Sequence, residues 1–465
     1  MDLFTPLVSE DLQHPNFRFI TQPNFGTQEL EVIKSWANGF IDRDGKFVKE
    51  FQTTFNSSFW ELYLSACFRE LGCTVDFSHE TPDFSINSPY GDFIAEATIT
   101  NHPDGFCPEW DKNLDLLPTT STEDILRLST IRLSNAISSK YKKYISKYSK
   151  LNHVQNKPFI ICVSPFDQPF FHFQDSLAIV RLLYAFESTL SITNHQTNET
   201  IIIGESRCFQ VQKSPGVNLE LGLFTDNRMT EVSAVIFSTR ATFCKVRALA
   251  KEGNHLVIFM GARMIQLENL TGFQPFIINR PDYQETVLDG LHILINPFAK
   301  YPLDIRLFDN KEVAIHSYDP ETDSYLSEIP HDFLIQRHCQ SVVVSDTTVD
   351  IKRSLTEHPY QELSPEVWQE DVLTYVGGQN TSFRDNHMAH YRGWTVLVCF
   401  ESFDQDWGAQ AVHKLCYNIP QYMKANGDDN LDLTLLTDWF STKEDAYIAI
   451  KERIDQIFDQ AVTKD

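Results

Sequence analysis

The sequence has no apolar run that approaches the roughly 20 residues needed to cross a membrane. Its first residues, MDLFTPLVSEDLQHP, are acidic and lack the basic and then apolar layout of a signal peptide. We therefore expect a cytoplasmic protein with no membrane partner. The chain is 42% apolar and 22% charged, as in folded globular proteins, and its 465 residues are enough for two or more domains.

Several common site patterns are also missing. The nine cysteines include no CxxC pair, so the usual ligand spacing of a structural zinc site is absent. Most cysteines lie in apolar runs, such as Cys162 in FIICV and Cys399 in VLVCF, which is typical of buried, reduced thiols in an intracellular protein. No P-loop, GxGxxG or GxSxG pattern occurs, which argues against nucleotide cofactors and serine-hydrolase chemistry.

Positive charge is scarce, because the chain has 39 basic and 63 acidic residues and a net charge of −24. This balance disfavours a general nucleic-acid coat. Between residues 125 and 166, however, there is no acidic residue, and this stretch holds eight basic ones. They are Arg127, Arg132, Lys140, Lys142, Lys143, Lys147, Lys150 and Lys157. We therefore expect one basic surface on an otherwise acidic molecule.

Hydrophobic periodicity predicts an α/β fold in the first half of the chain. The predicted elements are a helix at 58–71, strands at 74–77, 83–86 and 93–99, a long helix at 122–148 and a buried strand at 158–163. In this order the first three strands form a meander, and the long helix crosses over to a fourth strand of the same sheet.

Four regions are predicted along the whole chain. Residues 1–54 form an irregular N-terminal arm with one helix near 28–37, and an α/β domain with its extension occupies 55–300. A β-rich segment follows at 301–352, then a linker at 352–366 and a small C-terminal α/β accessory domain at 367–465. The elements predicted in that last domain are a strand at 394–400, a helix at 406–424, a strand at 431–438 and a helix beginning at the capping box of Ser441 and Glu444.

The segment TPDFSINSPYGDFIAEATIT predicts a hairpin that brings two carboxylates together. If Asn87 pairs with Asp92, then Asp83 lies directly opposite Glu96. Cross-strand neighbours have Cβ atoms about 4.5–5.5 Å apart, and like charges there are destabilising. A divalent cation would compensate this repulsion. In the alternative interpretation, Asp83 is a turn residue and Glu96 an ordinary acid at the end of a strand.

Glu61 lies in the helix that precedes the hairpin. At 100° per residue it falls at the edge of an apolar stripe formed by Trp60, Leu64, Cys67, Phe68 and Leu71. An acid at this edge can reach across to the sheet and support a metal ion. Taken singly, it is also compatible with a solvated helix acid.

These residues resemble the motifs of the PD-(D/E)XK nuclease superfamily, whose fold is restriction-endonuclease-like. The matching elements are the helix with Glu61, the pair Pro82-Asp83, and Glu96-Ala97-Thr98 thirteen residues on. The resemblance covers roughly residues 55–165. It implies a mixed sheet flanked by helices and a Mg²⁺ or Mn²⁺ ion bound by Asp83 and Glu96, with Glu61 as a third ligand.

Position 98 departs from the family pattern, which has a lysine where this chain has Thr98. A hydroxyl group supplies no positive charge near an attacking water. Family members are known to recruit the cation from a neighbouring helix, and the long basic helix is suitably placed. Lys140 lies about 40° from the centre of the apolar stripe of that helix, so we assign it the missing charge, with Lys143 as second choice.

The predicted function is therefore that of a metal-dependent endonuclease that hydrolyses DNA phosphodiester bonds, which by family analogy belongs to a restriction or defence system. Asp83, Glu96 and Lys140 are the predicted catalytic residues. The predicted contacts to the DNA backbone are Arg132, Lys143 and Lys147. One alternative is a catalytically degenerate module of the same fold that binds nucleic acid or protein, and another is a scaffold with an acidic binding surface. The C-terminal domain is a candidate surface for forming a homodimer or for binding a protein partner.

Overall fold

The computed structural model describes most of the chain. The residues outside the described part are 23–24, 103–107, 112–121, 169–170, 172–173, 195–198, 251–255, 268–269, 281, 310, 343–368, 371–382, 392–393, 402–405, 414–433, 438–439 and 463–465. The chain divides into two compact units, one of residues 1–192 and 202–339 and one of residues 193–201 and 340–465. The finer four-part division stays a prediction, and its linker at 352–366 lies outside the described residues.

The elements follow one another in an irregular alternation of helices and strands. The α-helices are α1 (Pro15–Ile20), α2 (Thr27–Trp36), α3 (Phe47–Thr53), α4 (Phe55–Glu70), α5 (Thr122–Ser146), α6 (Leu177–Tyr184), α7 (Phe243–Leu249) and α8 (Lys443–Val462). Short 3-10 helices include Glu10–Leu12, Glu109–Asp111, Tyr148–Lys150, Asn227–Met229 and Ile305–Phe308. None of the described helices is long and apolar enough to span a membrane.

The strands number from β1 to β20 along the described chain. They are β1 (Thr74–Asp76), β2 (Phe84–Asn87), β3 (Phe93–Ile99), β4 (Phe159–Ser164), β5 (Phe186–Asn194), β6 (Glu199–Arg207), β7 (Gln210–Ser214), β8 (Val217–Glu220), β9 (Ala234–Phe237), β10 (Leu256–Leu267), β11 (Leu270–Asn279), β12 (Leu291–Ile295), β13 (Val313–Asp319), β14 (Ser324–Glu328), β15 (Leu334–Val342), β16 (Gln369–Glu370), β17 (Phe383–Tyr391), β18 (Trp394–Glu401), β19 (Asp406–His413) and β20 (Thr434–Leu436).

A mixed eight-stranded sheet forms the centre of the first unit, in the order β1-β2-β3-β4-β9-β12-β13-β14. Strands β1, β2 and β3 form an antiparallel meander, and β4 runs parallel to β3. Helix α5 makes the crossover between β3 and β4. The predicted order of helix, three strands, helix and strand is therefore confirmed, with the ends of the elements shifted by a few residues.

Each face of this sheet carries its own apolar core. On one face, α4 packs with Trp60 and Phe68 in a cluster that includes Ala95 and Ala97 of β3. On the other face, α5 packs in a second cluster that includes Ile94 of β3. Because side chains alternate along a strand, successive residues of β3 point into the two opposite cores. Packing on both faces of the sheet therefore fixes the strand.

The first 54 residues hold three helices, α1 to α3, where one helix in an irregular arm was expected. Phe17 of α1, Ile33 and Trp36 of α2 and Phe51 of α3 are buried in the same core as α4. Helices α1 and α3 have six and seven residues. Two turns show too little periodicity to be recognised in a sequence.

A five-stranded sheet of order β16-β17-β18-β19-β20 forms the second unit together with α8. The predicted helix at 406–424 is wrong in its first part, because residues 406–413 form strand β19, which pairs antiparallel with β18. Ala409 and Ala411 are buried at alternate positions, which is the period of a strand. Residues 414–424 lie outside the described part.

Helix α8 begins one residue later than its predicted capping box implies. The backbone N–H of Asp445 donates to Oγ1 of Thr442 over 3.2 Å, and this hydroxyl donates to the Asp445 carboxylate over 2.6 Å. Thr442 and Asp445 therefore take the places predicted for Ser441 and Glu444. The same chemistry caps the helix, shifted by one position.

Candidate active site

The hairpin of β2 and β3 has the predicted register. Phe84 pairs with Ala95 and Ile86 with Phe93, so the same register continued by one residue sets Asp83 opposite Glu96. Two hydrogen bonds hold this end of the hairpin. The backbone N–H of Asp83 donates to Oε2 of Glu96 over 3.3 Å, and the N–H of Ala97 donates to Oδ2 of Asp83 over 2.8 Å. Each carboxylate is thus fixed by the strand that carries the other.

Glu96 is fully buried, and three side chains from one side of the sheet donate to its Oε1 atom. The donors are Nζ of Lys140 at 2.9 Å, Nζ of Lys143 at 2.8 Å and the hydroxyl of Tyr148 at 3.1 Å. Burial raises the pKa of Glu96, but the two ammonium groups outweigh this effect and hold the pKa below its ordinary value. Glu96 is therefore a charged carboxylate with two cations in contact.

The two lysines reach the sheet because of their position on α5. The stripe of Leu133, Ile137 and Tyr144 packs against the sheet, and the ring of Tyr144 stacks on Phe159 at 4.2 Å. Lys140 and Lys143 follow the edge of this stripe one helical turn apart, and their side chains are 21% and 39% exposed. Their aliphatic stems cover apolar surface while the ammonium groups turn toward the sheet.

The orientation of the basic residues on α5 agrees with the helical wheel. Lys142 and Lys147 are exposed, and Arg132 is partly buried. Among the described residues, neither Arg132 nor Lys147 has a hydrogen bond or an ion pair with the two carboxylates. The structure thus brings Lys140 and Lys143 to Glu96. Arg132 and Lys147, which were predicted to contact the DNA backbone, do not contact the carboxylate pair.

Asp83 is only partly buried, and its pKa moves in the opposite direction to that of Glu96. Burial, followed by the negative charge of Glu96, raises the pKa of Asp83 to about 6. Its Oδ2 accepts from Ala97, whereas Oδ1 has no hydrogen-bond partner in the described part of the chain. Asp83 therefore has one oxygen available for a ligand and is charged only above mildly acidic pH.

Glu61 lies at the edge of the buried face of α4, as the helical wheel predicted, and stays partly exposed. Burial and then the charge of Asp83 raise the pKa of Glu61 well above its ordinary value, against the opposing effects of Lys140 and Arg43. Glu61 is thus within electrostatic reach of the pair. Even so, no group of three or more acidic, histidine or cysteine side chains in the described part has metal-site geometry.

Thr98 shares the face of Glu96 on β3, two residues further along. Its hydroxyl donates weakly to the carbonyl of Ile99 at 3.4 Å, and its side chain brings no charge. The cationic groups of the site come from α5 instead, which is where the sequence placed them.

Two residues of the site were not predicted. Burial and the charges of Glu96 and Asp83 raise the pKa of Tyr148 far above its ordinary value, so its hydroxyl stays protonated and donates to Glu96. The spacing of Tyr148 along the long helix marks it only as an apolar position and gives no sign of a donor to Glu96. Arg43 donates to the backbone carbonyls of His79 and Pro82 and so supports the turn before Asp83. Nothing in the sequence around Arg43 signals this contact.

The residues present fit a divalent cation in their chemistry. Magnesium is bound in proteins by one or two carboxylates and keeps several water ligands, and Asp83 and Glu96 supply such a pair. Burial and then the charge of Glu96 disfavour the ionised form of Asp83, and a bound cation would favour that form. The arrangement therefore combines a carboxylate pair with two ammonium groups beside Glu96. No protein-family model, no curated protein and no solved structure matches this chain.

Proposed function

We propose that this protein is a metal-dependent nuclease that hydrolyses phosphodiester bonds in DNA. The observation that carries the proposal is the contact of Lys140 Nζ with Glu96 Oε1 at 2.9 Å, on a carboxylate whose hairpin neighbour is Asp83. This contact places a cation from α5 beside the carboxylate pair. The strand itself has Thr98 at the position where the family pattern has a lysine. The order of helix, meander, crossover helix and parallel strand supports a restriction-endonuclease-like core.

Asp83 and Glu96 would hold a Mg²⁺ or Mn²⁺ ion, with Glu61 as a further ligand. An ion bound there would lower the pKa of a bound water and neutralise charge on the phosphate. The backbone N–H groups of Asp83 and Ala97 fix the two carboxylates, so the ligand geometry is set before a metal arrives. Tyr148 holds Oε1 of Glu96 by a hydrogen bond that does not depend on pH in the neutral range.

Lys140 and Lys143 would have different roles, one in catalysis and one in binding DNA. Lys140 is the less exposed of the two, and we assign it the stabilisation of the attacking hydroxide or the transition state. Lys143 is more exposed and, together with Arg132 and Lys147, would bind the phosphate backbone. A restriction or defence role follows from the family resemblance alone.

A second function is favoured by the same contacts. Two ammonium groups already neutralise Glu96, so the site is satisfied in charge without a metal ion. A protein that uses the fold only to bind nucleic acid would have such a site. This alternative predicts DNA binding without cleavage.

Plasmid cleavage with Mg²⁺ or Mn²⁺ tests the proposal. Asp83→Asn and Glu96→Gln should abolish cleavage, and Lys140→Met should lower the rate by about 10²-fold or more while metal binding persists. Lys142→Met is the matched control, because Lys142 lies exposed on the same helix, and it should cut like the wild type. Full cleavage by Lys140→Met would refute the role of this lysine. DNA binding with no cleavage in either metal would establish the second function.

A further inference from the structure

Two thiols meet in the first unit, at residues that lie 95 positions apart in the sequence. Cys244 belongs to α7 and Cys339 to β15, and Sγ of Cys339 donates a hydrogen bond to Sγ of Cys244 over 2.7 Å. Thr242 fixes the backbone of Cys244 by accepting its N–H at 3.2 Å. Neither cysteine belongs to the carboxylate site or to the function proposed for it.

The surroundings of Cys244 are positively charged. Arg337 and Arg247 favour its ionised form, Arg240 also lies within electrostatic reach, and Arg247 donates to Sγ of Cys339 at 3.6 Å. The hydrogen bond from Cys339, followed in effect by Arg337 and Arg247, lowers the pKa of Cys244 to about 6 despite its burial. The same hydrogen bond and burial raise the pKa of Cys339 well above its ordinary value.

The contact between the two sulfur atoms and the nearby arginines favour the loss of one proton from the pair, and the pKa of Cys244 is the one that is lowered. This asymmetry is what a reactive dithiol requires, because the thiolate is the nucleophile and the second thiol resolves the product. Other cysteines of the chain have the opposite electrostatics. Burial raises the pKa of Cys67, Cys162 and Cys208.

Both cysteines line a cavity of about 330 Å³, together with Arg247. Seven of its sixteen lining residues are aromatic, among them Phe55 and Trp110. Both cysteines keep part of their surface exposed. A small molecule that enters the cavity would meet the thiolate of Cys244.

We propose that Cys244 and Cys339 are a redox-active dithiol that a low-molecular-weight disulfide oxidises to an intramolecular disulfide. The Cys244 thiolate attacks one sulfur of the small disulfide, whose S–S bond breaks, and the first small thiolate leaves and takes up a proton. Cys339 then loses its proton and attacks Sγ of Cys244, which expels the second small thiolate. Two protein thiols are oxidised, and one small disulfide is reduced to two thiols.

Oxidised glutathione is the probe that tests this proposal on the full chain. The folded protein is incubated with it, the remaining thiols are alkylated, and the digest is analysed by mass spectrometry without reduction. We expect a linked peptide pair that contains Cys244 and Cys339 and has lost two hydrogen atoms. Alkylation of both residues after the incubation, or a link between other cysteines, would overturn the proposal. This measurement needs no variant.

Single substitutions assign the two roles. Cys339→Ser should stop the reaction at a glutathione adduct on Cys244, and Cys244→Ser should leave Cys339 without an adduct. Cys208→Ser is the matched control, since Cys208 is also partly exposed but has a raised pKa, and it should still form the disulfide. A glutathione adduct on Cys339 in Cys244→Ser would contradict the assigned order of attack. Circular dichroism of each variant shows whether it is folded.

Discussion

Glu96 is the residue at which the contacts of the candidate site converge. It is fully buried, and its two oxygens together accept from Lys140, Lys143, Tyr148 and the backbone of Asp83. A buried carboxylate without partners would be protonated, because burial penalises its charge. The two lysines reverse this effect, so burial and charge coexist at one side chain.

Asp83 shows the consequence of being the second acid of the pair. Its pKa rises from 3.8 to about 6, so its contribution to the stability of the metal-free protein is fully present below 3.8 and is lost as the pH rises through about 6. An asparagine at position 83 does not ionise, so Asp83→Asn keeps this stability at neutral pH. We expect the variant to be more stable than the wild type at neutral pH by about 1–2 kcal/mol without divalent ions, as measured by urea unfolding.

The control for this prediction is Asp92→Asn at the other end of the same hairpin, where the carboxylate is 45% exposed and forms only a long surface ion pair with Lys157 at 3.6 Å. It should change stability little. Below pH 3.8 the gain from Asp83→Asn should vanish, because Asp83 is protonated in both states there. A gain that is equal at acidic and neutral pH would show that the burial of the Asp83 charge beside Glu96 is not its cause.

At the level of elements, the sequence predicts best where the pattern is long or where a turn fixes the register. Helix α5 has 25 residues and a clear apolar stripe, and the turn after Asn87 sets the pairing of Asp83 with Glu96. The predicted helix is wrong over 406–413 because pairing with β18, and not the helix propensity of its alanines, decides the structure of β19.

Contacts between distant segments account for what could not be predicted in the site. Tyr148 follows α5 in a 3-10 turn, and its direction depends on how that helix ends. Arg43 acts through backbone carbonyls, which leave no trace in side-chain patterns. Cys244 and Cys339 come together only through the packing of α7 near β15. Side-chain periodicity reports burial, and it does not report which polar groups meet.

The start of α8 gives a prediction at the scale of one element. Thr442→Ala should destabilise the helix by about 1 kcal/mol, because Asp445 loses its hydrogen-bonding partner at the first turn. Ser441→Ala is the neighbouring control and should have little effect. Hydrogen exchange of the amides at 443–446 measures both variants. Faster exchange in Ser441→Ala than in Thr442→Ala would restore Ser441 as the cap.

At the scale of the whole molecule, the distribution of charge is more informative than its sum. The chain carries −24, yet the stretch from 125 to 166 has eight basic residues and no acidic one. DNA that binds to this basic stretch would be repelled by the acidic residues on the rest of the surface. We therefore expect binding that is confined to one face and depends steeply on salt.

The salt dependence gives a test that does not require cleavage. If Arg132 and Lys147 each contact a phosphate, Arg132→Gln combined with Lys147→Gln should reduce the slope of log affinity against log salt by about 2. The control is Lys49→Gln combined with Lys300→Gln, which removes the same charge from exposed positions outside the basic stretch. Equal slopes for the two double variants would show that net charge alone governs binding.

The two lysines on Glu96 also make metal and substrate depend on each other. Because both ammonium groups contact Oε1 of Glu96, an ion that bound this carboxylate would compete with them for its negative charge. A phosphate group would attract the same lysines away from the carboxylate. In the proposed nuclease each ligand would thus raise the affinity for the other, by the same factor in both directions. Metal alone would therefore bind more weakly than metal in the presence of DNA.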